Sequence, residues 1–165
     1  NYRKNLKQLP TGNERFNAIW VKLTEDRPAV WAWKRADFDK LNSEYRTKGF
    51  RLMELNAFVL PGGQDERYNA IWVKSTEDRP AVWAWKRADF DKLNSEYRAK
   101  GFRLMELNAF VLPGGREERY NAIWVKSTED RPAVRAWVRW DFESLHSEHH
   151  AKGYRLHSLR CFVVS

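Results

Sequence analysis

Residues 67–72 read Arg67-Tyr68-Asn69-Ala70-Ile71-Trp72, and the same six return as Arg119-Tyr120-Asn121-Ala122-Ile123-Trp124. With Phe for Tyr they also stand at Arg15-Phe16-Asn17-Ala18-Ile19-Trp20. The interval is 52 residues each time, and a fixed period of this size decides the architecture before any motif does. Residues 15–66 and 67–118 differ only at Phe16/Tyr68, Leu23/Ser75, Thr47/Ala99, Gln64/Arg116 and Asp65/Glu117. Residues 119–165 form a third, more divergent copy. Residues 1–14 read as an N-terminal partial repeat, because Leu9-Pro10-Thr11-Gly12 echoes Leu60-Pro61-Gly62-Gly63.

Inside one copy the order reads strand, strand, helix, strand. Phe16 to Lys22 alternates aromatic and β-branched residues, which suits a pleated surface. Thr24 to Pro28 is a polar turn, and Ala29 to Lys34 a second short strand, so the two are expected to pair as a hairpin. Asp37 is an expected N-cap for a helix reaching Lys48. Phe38, Leu41 and Tyr45 share one helical face, and Gly49 follows where a positive φ is least costly. Phe50 to Leu60 is the last strand. A lone unit of this size buries little surface. The expected fold is therefore α+β, with three tandem ββαβ repeats of about 52 residues sharing one core. Their arrangement is either pseudo-threefold or an open half-barrel.

Composition narrows the function classes. The chain has 165 residues, 30 Lys+Arg against 22 Asp+Glu, a net charge of +8, one Cys and nine Trp. No apolar run has the roughly 18 residues of a membrane span. One cysteine excludes an intramolecular disulfide framework and a multi-Cys zinc site. Cys161 replaces Ala57 and Ala109, so a small packed strand position is expected for it. The positive charge favours polyanionic partners. The chain opens on Asn1 rather than Met, which points to a processed product and to secretion.

The copies also report on exposure. Trp31 and Trp83 correspond to Arg135, and an unpaired buried arginine is very costly, so this position is expected to be partly exposed. Ala36 and Ala88 become Trp140, and Lys34 and Lys86 become Val138. Trp20, Trp72, Trp124 and Trp33, Trp85, Trp137 never vary and are expected in or near the core. An exposed indole can stack on a sugar, and a neighbouring cation adds affinity for anions. The alternative is that Trp31 and Trp83 lie at contacts between repeats. Candidate ligand-binding residues are Trp31, Trp83, Arg135, Trp140, Lys34 and Lys86. Asn17, Asn69, Asn121, Asp26, Asp78 and Asp130 are candidates for hydroxyl groups, with turn and hairpin chemistry as their other reading.

No catalytic constellation stands out, and neither a phosphate-binding loop nor a dinucleotide fingerprint occurs. No catalytic residue, metal site or cofactor is expected. His146 and His150 have the i, i+4 spacing of a metal pair but no third ligand pattern beside them.

Three features together carry a resemblance: the Tyr68-Asn69-Ala70-Ile71-Trp72 opening, then Phe90, Tyr97 and Gly101-Phe102-Arg103, then Pro113-Gly114-Gly115 before the next opening. The chain resembles a bacterial tandem-repeat domain that accompanies β-lactamase-like serine hydrolases, related to the N-terminal half-barrel domain of fungal polyglycine hydrolases. The resemblance implies an accessory, secreted recognition domain. The catalytic serine of such proteins belongs to a hydrolase domain with no counterpart in these residues. Trp31-Ala32-Trp33-Lys34 departs from the pattern, where a polar stretch is more usual.

The expected function is a secreted, non-enzymatic, multivalent carbohydrate-binding protein with glycans or anionic polysaccharides as partners. A basic membrane-active protein at anionic surfaces is the second reading; nucleic acid is disfavoured for want of any motif.

Overall fold

A computed structural model describes residues 15–63, 65–114, 117–135 and 138–162. The first folded unit comprises β1 (Ala29–Lys34), α1 (Arg35–Thr47), β2 (Phe50–Val59) and β3 (Glu66–Lys74). The second comprises β4 (Ala81–Lys86), α2 (Arg87–Ala99), β5 (Phe102–Val111) and β6 (Glu118–Lys126). Then comes α3 (Arg139–Ala151) of the third repeat. The chain is α+β and built of tandem repeats.

Each sheet has three antiparallel strands, in the orders β1-β3-β2 and β4-β6-β5. The central strand is the recurring Tyr-Asn-Ala-Ile-Trp segment. Ala29 faces Ile71 and Lys34 faces Arg67 on one side, while Leu52 faces Trp72 and Val59 faces Glu66 on the other. This corrects the expected hairpin. Strand β3 pairs with two strands that precede it, and β4, across the short turn, belongs to the next sheet. The folded unit is thus offset by one strand from the duplicated block. It starts near Pro28, whose carbonyl accepts from the Trp72 amide at 2.9 Å, and ends at Ser75, whose amide donates to the Gly49 carbonyl at 3.1 Å.

The offset explains a second correction. Residues 16–22 form no strand, although the equivalent segments form β3 and β6. No pair of flanking strands precedes them among the described residues. Trp20 is 87% exposed, whereas Trp72 and Trp124 are 0% exposed. The N-terminal partial repeat of residues 1–14 and Trp137 lie outside the described residues.

Helix α1 begins at Arg35, two residues before the expected cap, and Asp37 sits in its first turn, where its charge suits the dipole. The expected stop holds: Gly49 has φ +80°. Phe38 is fully buried by the helix, and Leu41 and Tyr45 pack on the same core. Phe38 stacks on Tyr68 at 5.0 Å, and Phe90 on Tyr120 at 5.3 Å. Full burial of one such Trp as Trp72 contributes up to about 4–6 kcal/mol at ~25 cal/mol/Å². Its indole N–H donates to Asn42 Oδ1 at 3.0 Å, and Trp124 does the same to Asn94.

The units share a core. Phe110 and Ile123 of the second sheet are buried in the cluster formed by Val30, Phe38, Leu55 and Trp72. A chain of side-chain amides ties the units polar group to polar group. Asn121 Oδ1 accepts from the Ala84 amide at 2.9 Å, and Asn121 Nδ2 donates to Asn108 Oδ1 at 2.8 Å. Asn108 Nδ2 in turn donates to the Leu55 carbonyl of the first unit.

Candidate binding surface

The strand before each helix carries a bulge, between Val30 and Trp33 and between Val82 and Trp85. Ala32 and Ala84 sit there at φ 56° and 57°, a region that L-residues other than Gly seldom enter. The neighbouring central strand holds this geometry. Asn69 Oδ1 accepts from the Ala32 amide at 2.8 Å, as Asn121 does for Ala84. Asn69 and Asn121 therefore bind backbone, and Asn121, at 0% exposure, offers nothing to a sugar. This corrects the assignment of Asn121 as a hydroxyl ligand, while Asn69 is half-buried. Asn17, in the unpaired segment, is exposed.

The bulged pair includes Trp83, which is half-buried and crosses to the preceding unit. Its ring meets Phe38 edge-on at 5.1 Å and 88°, and its N–H donates to Asp39 Oδ1 at 2.8 Å. Arg135 reaches the equivalent Asp91 through Nη2. An indole N–H and a guanidinium are both donors, so one carboxylate accommodates either. That is why the copies exchange Trp for Arg here. Trp31, in the same place on the first unit, is 60% exposed, with no preceding helix among the described residues. At Trp83 and Arg135 the position is a contact between repeats.

A second aromatic–cationic ledge lies at the strand ends and is partly exposed, with Trp33 packed on the first core. At the end of each edge strand a tryptophan is followed by an exposed lysine, and both pair in register with an aromatic and an arginine. Trp33 and Lys34 face Tyr68 and Arg67, and Trp85 and Lys86 face Tyr120 and Arg119. Trp85 is 36% exposed and Trp33 is half-buried. Arg35 bonds Glu66 at 3.4 Å and Arg87 bonds Glu118 at 2.9 Å beside the ledge. The Glu117 carboxyl is held below its usual range, chiefly by its hydrogen bond from Arg119 and then by the charge of Lys86. In the third repeat Trp140 opens α3 at 80% exposure, next to exposed Val138.

The turn acids diverge. Asp26 and Asp78 are exposed, while Asp130 accepts from the Tyr154 hydroxyl at 2.8 Å. The rings of His146 and His150 lie 6.1 Å apart, and no group of three metal-ligating side chains occurs among the described residues. Ser95 and Ser147 donate to carbonyls of their own helices. Cys161 is exposed, not packed, because residues 154–162 are unpaired where β2 and β5 are held by a central strand.

Glu106 is a buried acid. Burial raises its carboxyl above the ordinary glutamate value, and the Arg160 charge, with Nη2 3.3 Å away, opposes this. The folded chain then holds this proton more tightly than the unfolded chain. Its stability contribution is full below the unfolded value and is lost as pH rises through the folded one. Glu106→Gln is expected to melt at a higher temperature than the parent at pH 7. The gap should close on acidification below the ordinary glutamate range, as read by thermal scans at several pH values.

The profile of the polyglycine hydrolase-like structural repeat matches residues 31–75 and 83–127, more than half of the chain. The chain belongs to that family. The two matched segments follow the polyglycine hydrolase-like repeat in the frame of the folded units, β1 to β3 and β4 to β6, and not in the frame of the duplicated block at 15–66. No curated protein and no solved structure matches the chain.

Sequence reading missed Asp39 and Asp91, which receive the residue at position 83 or 135, and Asn42 and Asn94, which receive the core indoles. The signal was the paired change of Asn42 and Asn94 to His146 and of Asp39 and Asp91 to Glu143 in the third repeat.

Proposed function

We propose that this polyglycine hydrolase-like repeat chain is a secreted, non-enzymatic binding module that presents one aromatic–cationic ledge per unit to carbohydrate. The observation that carries the reading is the recurrence of Trp33-Lys34 beside Arg67 and of Trp85-Lys86 beside Arg119 on edge strands. An indole face stacks on a sugar ring, and the flanking cations suit uronic or sulfated groups. Repetition adds avidity when a polymer spans two ledges. Trp140 supplies a further exposed face in the third repeat. Trp83 is engaged by the preceding unit, so the platforms in this reading are Trp85, Trp140 and the exposed Trp31.

The test is binding to a glycan array by the parent and by Trp85→Ala combined with Trp140→Ala. Trp140 lies outside the core and Trp85 is 36% exposed, so the double variant is expected to keep its circular dichroism with a somewhat lower melting point. Loss of about tenfold in affinity is expected, since an aromatic face contact contributes about 0.5–1.5 kcal/mol and two are removed. Unchanged affinity in the folded variant would remove the ledge from the account.

A further inference from the structure

We propose that the C-terminal ends of helices α1 and α2 form one basic edge that binds a linear anionic polysaccharide running along the repeats. This edge is a second face of the carbohydrate-binding module proposed above, and its assignment rests on that reading. The fold itself gathers the cations. Arg46 lies in the last turn of α1 and Lys48 caps it. Arg51 Nη1, at the start of β2, donates to the Arg46 carbonyl at 3.2 Å, and Lys74 Nζ, at the end of β3, donates to the Lys48 carbonyl. The second unit repeats the cluster. Arg103 Nη1 donates to the Arg98 carbonyl at 3.2 Å, and Lys126 Nζ to the Lys100 carbonyl.

Part of each cluster serves the fold. Carbonyls at a helix C-terminus carry partial negative charge, which Arg51, Lys74, Arg103 and Lys126 satisfy. The side chains of Arg46, Lys48, Arg98 and Lys100 are exposed, and none is ion-paired with a carboxylate of the described residues. The acids of this edge are Glu44 and Glu96 on the last helical turns and Asp78 in the turn after β3, while Glu77 is bonded to Arg79 at 3.0 Å. The other end of the helices differs. There Arg35 is paired with Glu66, Arg87 with Glu118 and Arg119 with Glu117. The net charge of +8 is thus unevenly placed.

The two clusters adjoin. Burial first, and then the charges of Asp78 and Glu96, push the Tyr97 hydroxyl above its ordinary value, and the Arg46 charge of the neighbouring helix opposes them. Lys100 Nζ stands 5.9 Å from the centre of the Tyr97 ring. Tyr97 therefore lies between the last cations of α1 and those of α2, and a bound polymer can pass from one cluster to the next. The second unit has the first unit on one side and the third repeat on the other, and its Arg98, Lys100 and Lys126 are exposed all the same.

The chemistry of the edge selects its occupant. Its rings lie under cations, with Lys74 4.8 Å over Phe50 and Lys126 4.6 Å over Phe102, which leaves no free ring face for the bases of a single strand of nucleic acid. None of the exposed large apolar side chains belongs to either cluster, so the edge has nothing to bury in a bilayer. A row of cations that recurs with the repeat suits a polymer that carries acidic groups at intervals, and two clusters add avidity. The planar guanidinium groups of Arg46 and Arg98 match the oxygens of sulfate or carboxylate.

Titration calorimetry of the full chain with dextran sulfate and with polygalacturonate tests this. The parent is expected to bind the sulfated or the uronic polymer at about 0.05 M salt and to release it near about 1 M, where screening is nearly complete. Arg46→Gln, Lys48→Gln, Arg98→Gln and Lys100→Gln together remove only exposed side chains, so the fold should survive, as circular dichroism would show. Affinity should fall about tenfold, since four exposed charge contacts are lost. A charge-matched comparison separates the edge from net charge. Lys48→Gln with Lys100→Gln should weaken binding, whereas Lys40→Gln with Lys92→Gln, exposed in mid-helix, should leave it within about twofold of the parent. A parent that binds neither polymer overturns the proposal, as does equal loss in the two pairs. Tighter binding of oligothymidylate or of phosphatidylserine vesicles than of both polymers overturns it too. The ledge is read separately on neutral glycans, so a ledge that fails there beside a lost polyanion affinity in the four-residue variant still supports the edge.

Discussion

Trp124→Ala is expected to cost about 3–5 kcal/mol, the range for deleting a buried aromatic side chain. The residue is fully buried between α2 and β5, tilted against Tyr97 at 5.0 Å and stacked on Phe90 at 5.9 Å. Its loss also removes the donor to Asn94. Total stabilities run to only about 5–15 kcal/mol, so this one change consumes a large fraction. The second sheet contributes Phe110 and Ile123 to the first core, so the loss should spread to the first unit. Urea unfolding followed by circular dichroism should show one transition, shifted to lower denaturant. Trp20→Ala, the same substitution in the exposed copy, should leave the midpoint of the monomer within about 0.5 kcal/mol of the parent. A similar large loss at both positions would contradict the burial pattern.

The second large effect is expected at Asn121. Asn121→Ala strands the Ala84 amide and Asn108 Oδ1 in the interior, and each unsatisfied buried group costs about 1–3 kcal/mol. A total of about 2–6 kcal/mol follows, together with a looser bulge at Ala84. Asn69→Ala is the control. Asn69 makes the same bond to Ala32, but it is only half-buried and faces an open surface, so water can replace much of what is lost. A cost of about 1 kcal/mol is expected there. Equal costs would mean that the amide chain from Asn121 through Asn108 to Leu55 does not couple the units.

Much of the fold was legible in the sequence. The period of 52 residues gave the repeat, the apolar face Phe38, Leu41, Tyr45 gave the helix, and Gly49 gave its end. The partner of the Tyr-Asn-Ala-Ile-Trp strand was not legible. Alternation reports that a strand is pleated and half-buried, but carries no record of which strand lies beside it. The turn Thr76 to Pro80 resembles a hairpin connection, yet it carries the chain from one sheet to the next. The exchange of Trp83 for Arg135 correctly marked a half-exposed position. It could not show the shared acceptor, because Asp39 and Asp91 are 44 residues away in the chain. Asn121 read as a polar surface residue because its two partners are a backbone amide and another asparagine, neither of which leaves a mark in composition.

A folded unit takes its middle strand from the start of the next duplicated block. Two fragments of nearly equal length separate the alternatives. Residues 28–127 contain both three-stranded sheets whole, whereas residues 15–118 contain two whole duplicated blocks but lack β6. Thermal unfolding of both, read by near-ultraviolet circular dichroism of the tryptophans, is the decisive measurement. A cooperative transition is expected for 28–127 and a weak or absent one for 15–118. A cooperative fold in 15–118 with an unfolded 28–127 would contradict it.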